Sequence, residues 1–174
     1  MTQIKISVSL LLLLLSHLVP AQERNIFNAA RNNNVAQLKE ILSETKNIDT
    51  TDARGSTALI IACYNDSYEA ADLLLKNKAN PHIQDKMGNT ALMGVCFKRL
   101  DKMVQLLLSY HTNVNQKNFN GATALIFAAN FGADAIVKIL CEKGADKTIR
   151  DNYNKTALDY ANIQGNESIV RLLR

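Results

Sequence analysis

The chain has 174 residues, 47% of them hydrophobic and 21% charged, with a formal net charge of +4, which is the balance of about one globular domain and excludes wholesale disorder. So small and scattered an excess of positive charge excludes a dedicated nucleic-acid binder. Its mildly basic end, with Lys138, Lys143, Lys147, Arg150, Lys155, Arg171 and Arg174, either solvates a face or attracts an acidic partner at low salt.

Residues 1–21 read as a secretory signal. Lys5 precedes an apolar run from Ile6 to Leu15, and Val19-Pro20-Ala21 supplies small or modest residues at the cleavage position. The alternative is an uncleaved anchor, but a spanning helix needs roughly 20 apolar residues, and Ser16 and His17 interrupt this run. Cleavage after Ala21 would remove Lys5 and no acid, leaving a charge of +3 on the mature chain, 22–174. A periplasmic or secreted location follows, with no membrane segment after cleavage.

Beyond the leader, one phrase recurs every 33 residues: GSTALIIAC from Gly55, GNTALMGVC from Gly88, GATALIFAA from Gly121 and NKTALDYAN from Asn154. In chain order the copies are 25–51, 52–84, 85–117, 118–150 and 151–174, the first matching only the helical part of a copy. Its Arg31-to-Asn34 run is polar, as a terminal cap requires. Thr57, Thr90, Thr123 and Thr156 stand where an N-cap accepts the free amides of a first turn, and Ala, the best helix former, follows each. Leu59 and Ala62, Leu92 and Val95, and Leu125 and Ala128 fall on one face of a first helix. A second apolar helix follows, carrying Ala71, Leu74 and Leu75, then Val104, Leu107 and Leu108, then Val137 and Leu140.

Punctuation fits the same period. Gly55, Gly88, Gly121 and Asn154 occupy a tight turn that wants positive φ, and the recurring Asp52, Asp85 and Asp151 are expected to hydrogen-bond the backbone of that turn. Gly144 ends a second helix, whereas Lys78 and His111 stand at that place in earlier copies, where the helix either carries strain or ends differently. At the other end, Arg171 and Arg174 suit the C-terminus of a capping helix.

This pattern resembles the ankyrin repeat family, whose period is 33 residues with a T-P-L-H-x-A signature. Thr and Leu are kept, while Ala58, Ala91, Ala124 and Ala157 replace the Pro, and Ile60, Met93, Ile126 and Asp159 replace the His. The fold the resemblance implies is all-α: a solenoid of stacked helix-turn-helix units with short hairpin loops, about five repeats counting both caps. It also implies a non-enzymatic protein-binding module, a monomer, whose partner docks on the concave surface of hairpin tips and first helices. Carried over, the partner-binding residues are Arg54, Tyr64, Asn65, Lys86, Met87, Phe97, Lys98, Phe119, Asn130, Phe131 and Tyr153, with Ala53, Ser56, Asn89, Asn120, Ala122, Asn152 and Lys155 completing the tips and Ile163 and Gln164 the last helix end. Five of the ten aromatic residues lie in that set. They are either an exposed patch or rings folded against neighbouring copies. A scaffold, an inhibitor or immunity protein, and a host-directed effector all fit the pattern.

No catalytic chemistry emerges from the motifs. His82 and His111 fall in loops without ligand-spaced Cys or carboxylates, and there is no phosphate-cradling glycine loop, nucleophile elbow or HExxH. No cofactor or metal is expected. Cys63 and Cys96 hold equivalent positions in adjacent copies; stacked helices sit about 8–10 Å apart, beyond the roughly 4.4–6.8 Å between disulfide-bonded Cα atoms. Both are expected buried and free, and Cys141, in register with Leu42, Leu75 and Leu108, is expected buried as well. Sequons occur at Asn65, Asn154 and Asn166; a glycan on Asn65 would obstruct the proposed face and one on Asn154 would crowd a tight turn, so they are read as accidental and lean toward a bacterial source.

Overall fold

The computed structural model describes residues 25–174; the leader expected over 1–21 lies outside the described residues. Among them the chain forms five helix pairs: α1 (Ile26–Arg31) and α2 (Val35–Glu44), α3 (Ala58–Tyr64) and α4 (Tyr68–Lys76), α5 (Ala91–Lys98) and α6 (Asp101–Ser109), α7 (Ala124–Asn130) and α8 (Asp134–Glu142), α9 (Ala157–Ile163) and α10 (Glu167–Leu173). None is long and apolar enough to cross a membrane. Helices this short are marginal alone, so packing must hold them. Each first helix packs on its own second helix and on the first helices of adjacent layers: α1 on α3, α3 on α5, α5 on α7 and α7 on α9.

Every first helix from α3 onward starts in the same way. Thr57, Thr90, Thr123 and Thr156 accept with Oγ1 from the N–H three residues on, at 3.2, 3.3, 3.4 and 3.2 Å. In the last layer Asp159 accepts in return from the Thr156 N–H at 2.8 Å, closing a reciprocal capping box. These four caps are the Thr residues of the recurring phrase.

The preceding hairpins are organised by their first residue. Asp52 Oδ1 accepts from the N–H groups of Arg54 and Ser56, Asp85 from those of Met87 and Asn89, Asn118 from those of Asn120 and Ala122, and Asp151 from those of Tyr153 and Lys155, all at 2.8–3.0 Å. Each tip then bonds to the next layer: the Lys86, Phe119 and Asn152 N–H groups donate to the carbonyls of Arg54, Met87 and Asn120 at 3.0, 3.3 and 2.9 Å. Gly88 shows why the turn wants glycine twice over. Its φ is +79°, and a Cβ there would lie 2.5 Å from the Phe119 nitrogen of the following hairpin.

Left-handed backbone recurs at three places in each of the three full layers. Asn154 takes the turn position with φ 59°, as its register with the three glycines predicts. Lys78 and His111 hold φ 68° and 55° where Gly144 holds 83°, so the two side-chain-bearing helix ends are strained. The third place, at the end of each first helix, has Asn33, Asp66, Arg99, Gly132 and Gly165. The composition of those five positions hid it.

The second-helix leucines sit in the core, with Leu74, Leu107 and Leu140 fully buried. Cys63 and Cys96 are buried free thiols, and burial pushes both far above the usual thiol range. Cys141 departs from expectation: it is only half-buried, as are Leu42 and Leu108 at the same register. Leu75 alone of that register is buried, so the position is core in one layer and half-open at Leu42, Leu108 and Cys141.

Tyr160 donates to Asp151 Oδ2 at 2.6 Å, tying helix α9 to its hairpin. Burial by itself would raise the Asp151 carboxyl, but hydrogen bonds from Tyr160 and from the Lys155 and Tyr153 amides outweigh it and hold it below the usual range. The same bond, with burial, pushes Tyr160 up to about 12. A depressed carboxyl adds stability that is lost as pH falls below about 4, and a raised phenol adds stability that is lost as pH climbs from about 10 through its folded value. Urea titrations of Tyr160→Phe are expected to show lower stability at neutral pH with a smaller further loss in acid. Leu107→Ala leaves a cavity in the middle layer and is expected to cost about 2–5 kcal/mol in the same assay; an unchanged midpoint would contradict the packing described.

Candidate functional face

Hairpin tips and the C-terminal ends of the first helices form one continuous surface, because the Asp-centred turns and the tip-to-tip bonds fix each hairpin against its neighbour. Met87, Phe119 and Tyr153 project from successive tips and are 63%, 66% and 73% exposed. Arg54 and Lys86 stand beside them, exposed. Two other tip residues do not: Ser56 and Ala122 are buried, while Asn89 and Lys155 at the same register stay half-buried. Ala122 is thereby removed from the set expected to meet a partner, whereas Ser56 lines the groove described below.

On the helices, three rings from adjacent layers meet. Tyr64 and Phe97 are stacked with centroids 6.3 Å apart, and Phe97 meets Phe131 edge-on at 4.6 Å. Phe127, which sequence reasoning had not placed on this surface, stacks on Phe131 at 6.4 Å. The two alternatives for these rings prove to be a mixture: each rests on its neighbour while Phe97 keeps 37% of its surface exposed. Lys98 places its ammonium 5.1 Å from the Tyr64 centroid, a cation–π contact that holds positive charge beside the rings. Asn65 is exposed but spends its amide on the Ile61 carbonyl at 2.8 Å, and half-buried Asn130 accepts from Gln164 at 3.0 Å.

Between the tips and the helices lies a largely apolar groove of about 630 Å³, bounded by Tyr64, Met87, Met93, Gly94, Phe97 and Phe127, with Arg54 and Lys86 at its edge. A volume of this size lies in the range of ligand-binding clefts. Sequence reasoning found its rim and missed its floor. The signal was present in the register: Ile61, Gly94, Phe127 and Tyr160 are equivalent, and only the copy at 85–117 has no side chain there.

A family model described as Ankyrin repeats (3 copies) matches residues 26–118 and again 95–174, which together span the described chain. The protein belongs to the ankyrin repeat family. No curated protein matches the chain. Ankyrin repeats are generally protein–protein interaction modules and typically lack enzymatic activity. In this ankyrin repeat protein no group of three or more His, Cys, Asp or Glu suited to a metal ion occurs among the described residues.

A double-mutant cycle tests the ring ladder. Phe97→Ala and Phe131→Ala are expected to lower stability with a coupling of about 0.5–1.5 kcal/mol, the worth of a packed aromatic pair. Strict additivity in urea melts would mean that the rings do not touch in solution.

Proposed function

We propose that this protein is a non-enzymatic binding module, a monomer exported through a signal cleaved after Ala21 into the periplasm or medium, that holds a protein partner on its hairpin-and-first-helix face. The observation that carries the reading is the unbroken run of exposed apolar side chains across adjacent layers: Met87, Phe119 and Tyr153 on the tips, and Tyr64, Phe97 and Phe131 on the helices. Aromatic residues ringed by Arg54, Lys86 and Lys98 have the composition of an interface core. Asn65 and Asn130 flank the rings as polar rim residues. On the second helices the exposed side chains are chiefly polar, including Lys102, Gln105, Lys138 and Glu142.

Affinity capture tests it. Mature chain 22–174 is used as bait in the native exported fraction beside a Tyr64→Ala, Phe97→Ala, Phe131→Ala triple variant that still shows a cooperative melt. A protein retained by the wild type and lost by the variant is expected. Identical capture by both would place binding elsewhere on the molecule.

A further inference from the structure

Gly94 makes the second full layer unlike the rest. At its register Ile61 is buried against the stack, and Phe127 and Tyr160 lie half-buried on it, so each puts a side chain where Gly94 has none. Gly94 fills nothing. It does not have the left-handed φ of the other glycines, so backbone geometry gives no reason for glycine there. Packing gives none either: a Cβ at Gly94 would meet only Tyr64 Cδ2, at an ordinary 3.5 Å. A mid-helix glycine costs about 1 kcal/mol relative to Ala, and here that cost opens the floor of the groove.

Cations outnumber acids around the opening, where Arg54, Lys86 and Lys98 stand against Asp52 and Asp85. Lys86 and Lys98 form no ion pair among the described residues, while Arg54 lies 3.6 Å from Asp52 and is 75% exposed. Asp85, the acid that lines the groove, accepts two amides of its own turn with Oδ1. An occupant therefore meets apolar walls inside and unpaired ammonium groups outside.

Resting on the binding face proposed above, we infer that the groove takes an acidic peptide segment of the partner, with one bulky apolar side chain seated in the notch over Gly94, between Tyr64, Phe97 and Phe127. Acidic residues on either side of that anchor meet Lys86 and Lys98. The anchor supplies affinity through burial, and the acids fix register and speed encounter. A side chain built at Gly94 competes for the same space.

A random peptide library displayed on phage and selected on the mature chain tests this directly. Selected sequences are expected to carry Leu, Ile, Met or Phe flanked by Asp or Glu. Their dissociation constants, measured by fluorescence anisotropy, are expected to rise about tenfold or more with Gly94→Leu, to rise with the surface charge reversal Lys86→Glu, and to rise with salt. Gly94→Ala serves as the folding control: it is expected to melt above the wild type yet bind more weakly. Selection of basic peptides, of peptides lacking a bulky apolar residue, or of none, would overturn the inference. So would equal affinity for the wild type, Gly94→Ala and Gly94→Leu. If such peptides still lose affinity with Phe97→Ala and Phe131→Ala, the notch fails and the face stands; if they bind those variants unchanged, the face fails too.

Discussion

The stack depends on a column of small side chains that lets first helices approach. Ala29, Ala62, Ala128 and Ala161, joined by Val95 in the middle layer, stand at one register on successive first helices and have no exposed surface. Because these positions carry so little bulk, apolar faces that a single helix pair leaves open close against the next pair. Each layer is thereby a cap for its neighbour's core, and stability accumulates as a sum of layer and interface terms. A larger residue in that column would separate two layers and weaken every hairpin contact beyond them.

Close approach also governs the loops. With layers held at one spacing, hairpin tips come near enough for Lys86, Phe119 and Asn152 to bond the preceding tip, and Gly88 has no room for a Cβ. The leading Asp52, Asp85, Asn118 and Asp151 satisfy the turn amides locally, so the tip side chains are not needed to close their own turns. Arg54, Met87, Phe119 and Tyr153 vary there for that reason. Most residues that build the layer repeat, and the tip residues that differ most are turned outward.

Much of this was legible in the primary structure because local rules and the global fold agree. Thr before an apolar run is an N-cap, a recurring Asp opens a hairpin, and Asn154 can replace glycine at positive φ; each follows from the chemistry of one residue. Strain at Lys78 and His111 is one of the two endings that their register with Gly144 allowed. The rest depended on which way a side chain turns. Ser56 and Ala122 sit between exposed tip residues but are buried, and Cys141 inherits a register that looked like core from Leu75 and is half-open. Phe127 and the Gly94 notch escaped for a different reason: attention to positions that repeat passes over the single copy that departs. The leader lies outside the described residues, so export rests on the apolar run and its cleavage position.

The location of the binding face is tested most directly by hydrogen exchange, read by mass spectrometry, on the mature chain free and bound to its captured partner. Slowed exchange is predicted at the tips around Lys86, Met87, Phe119 and Asn120 and at the helix ends around Tyr64, Phe97 and Phe131, with the second helices unchanged. Protection confined to the second helices, with tips and rings exchanging as in the free chain, would contradict it.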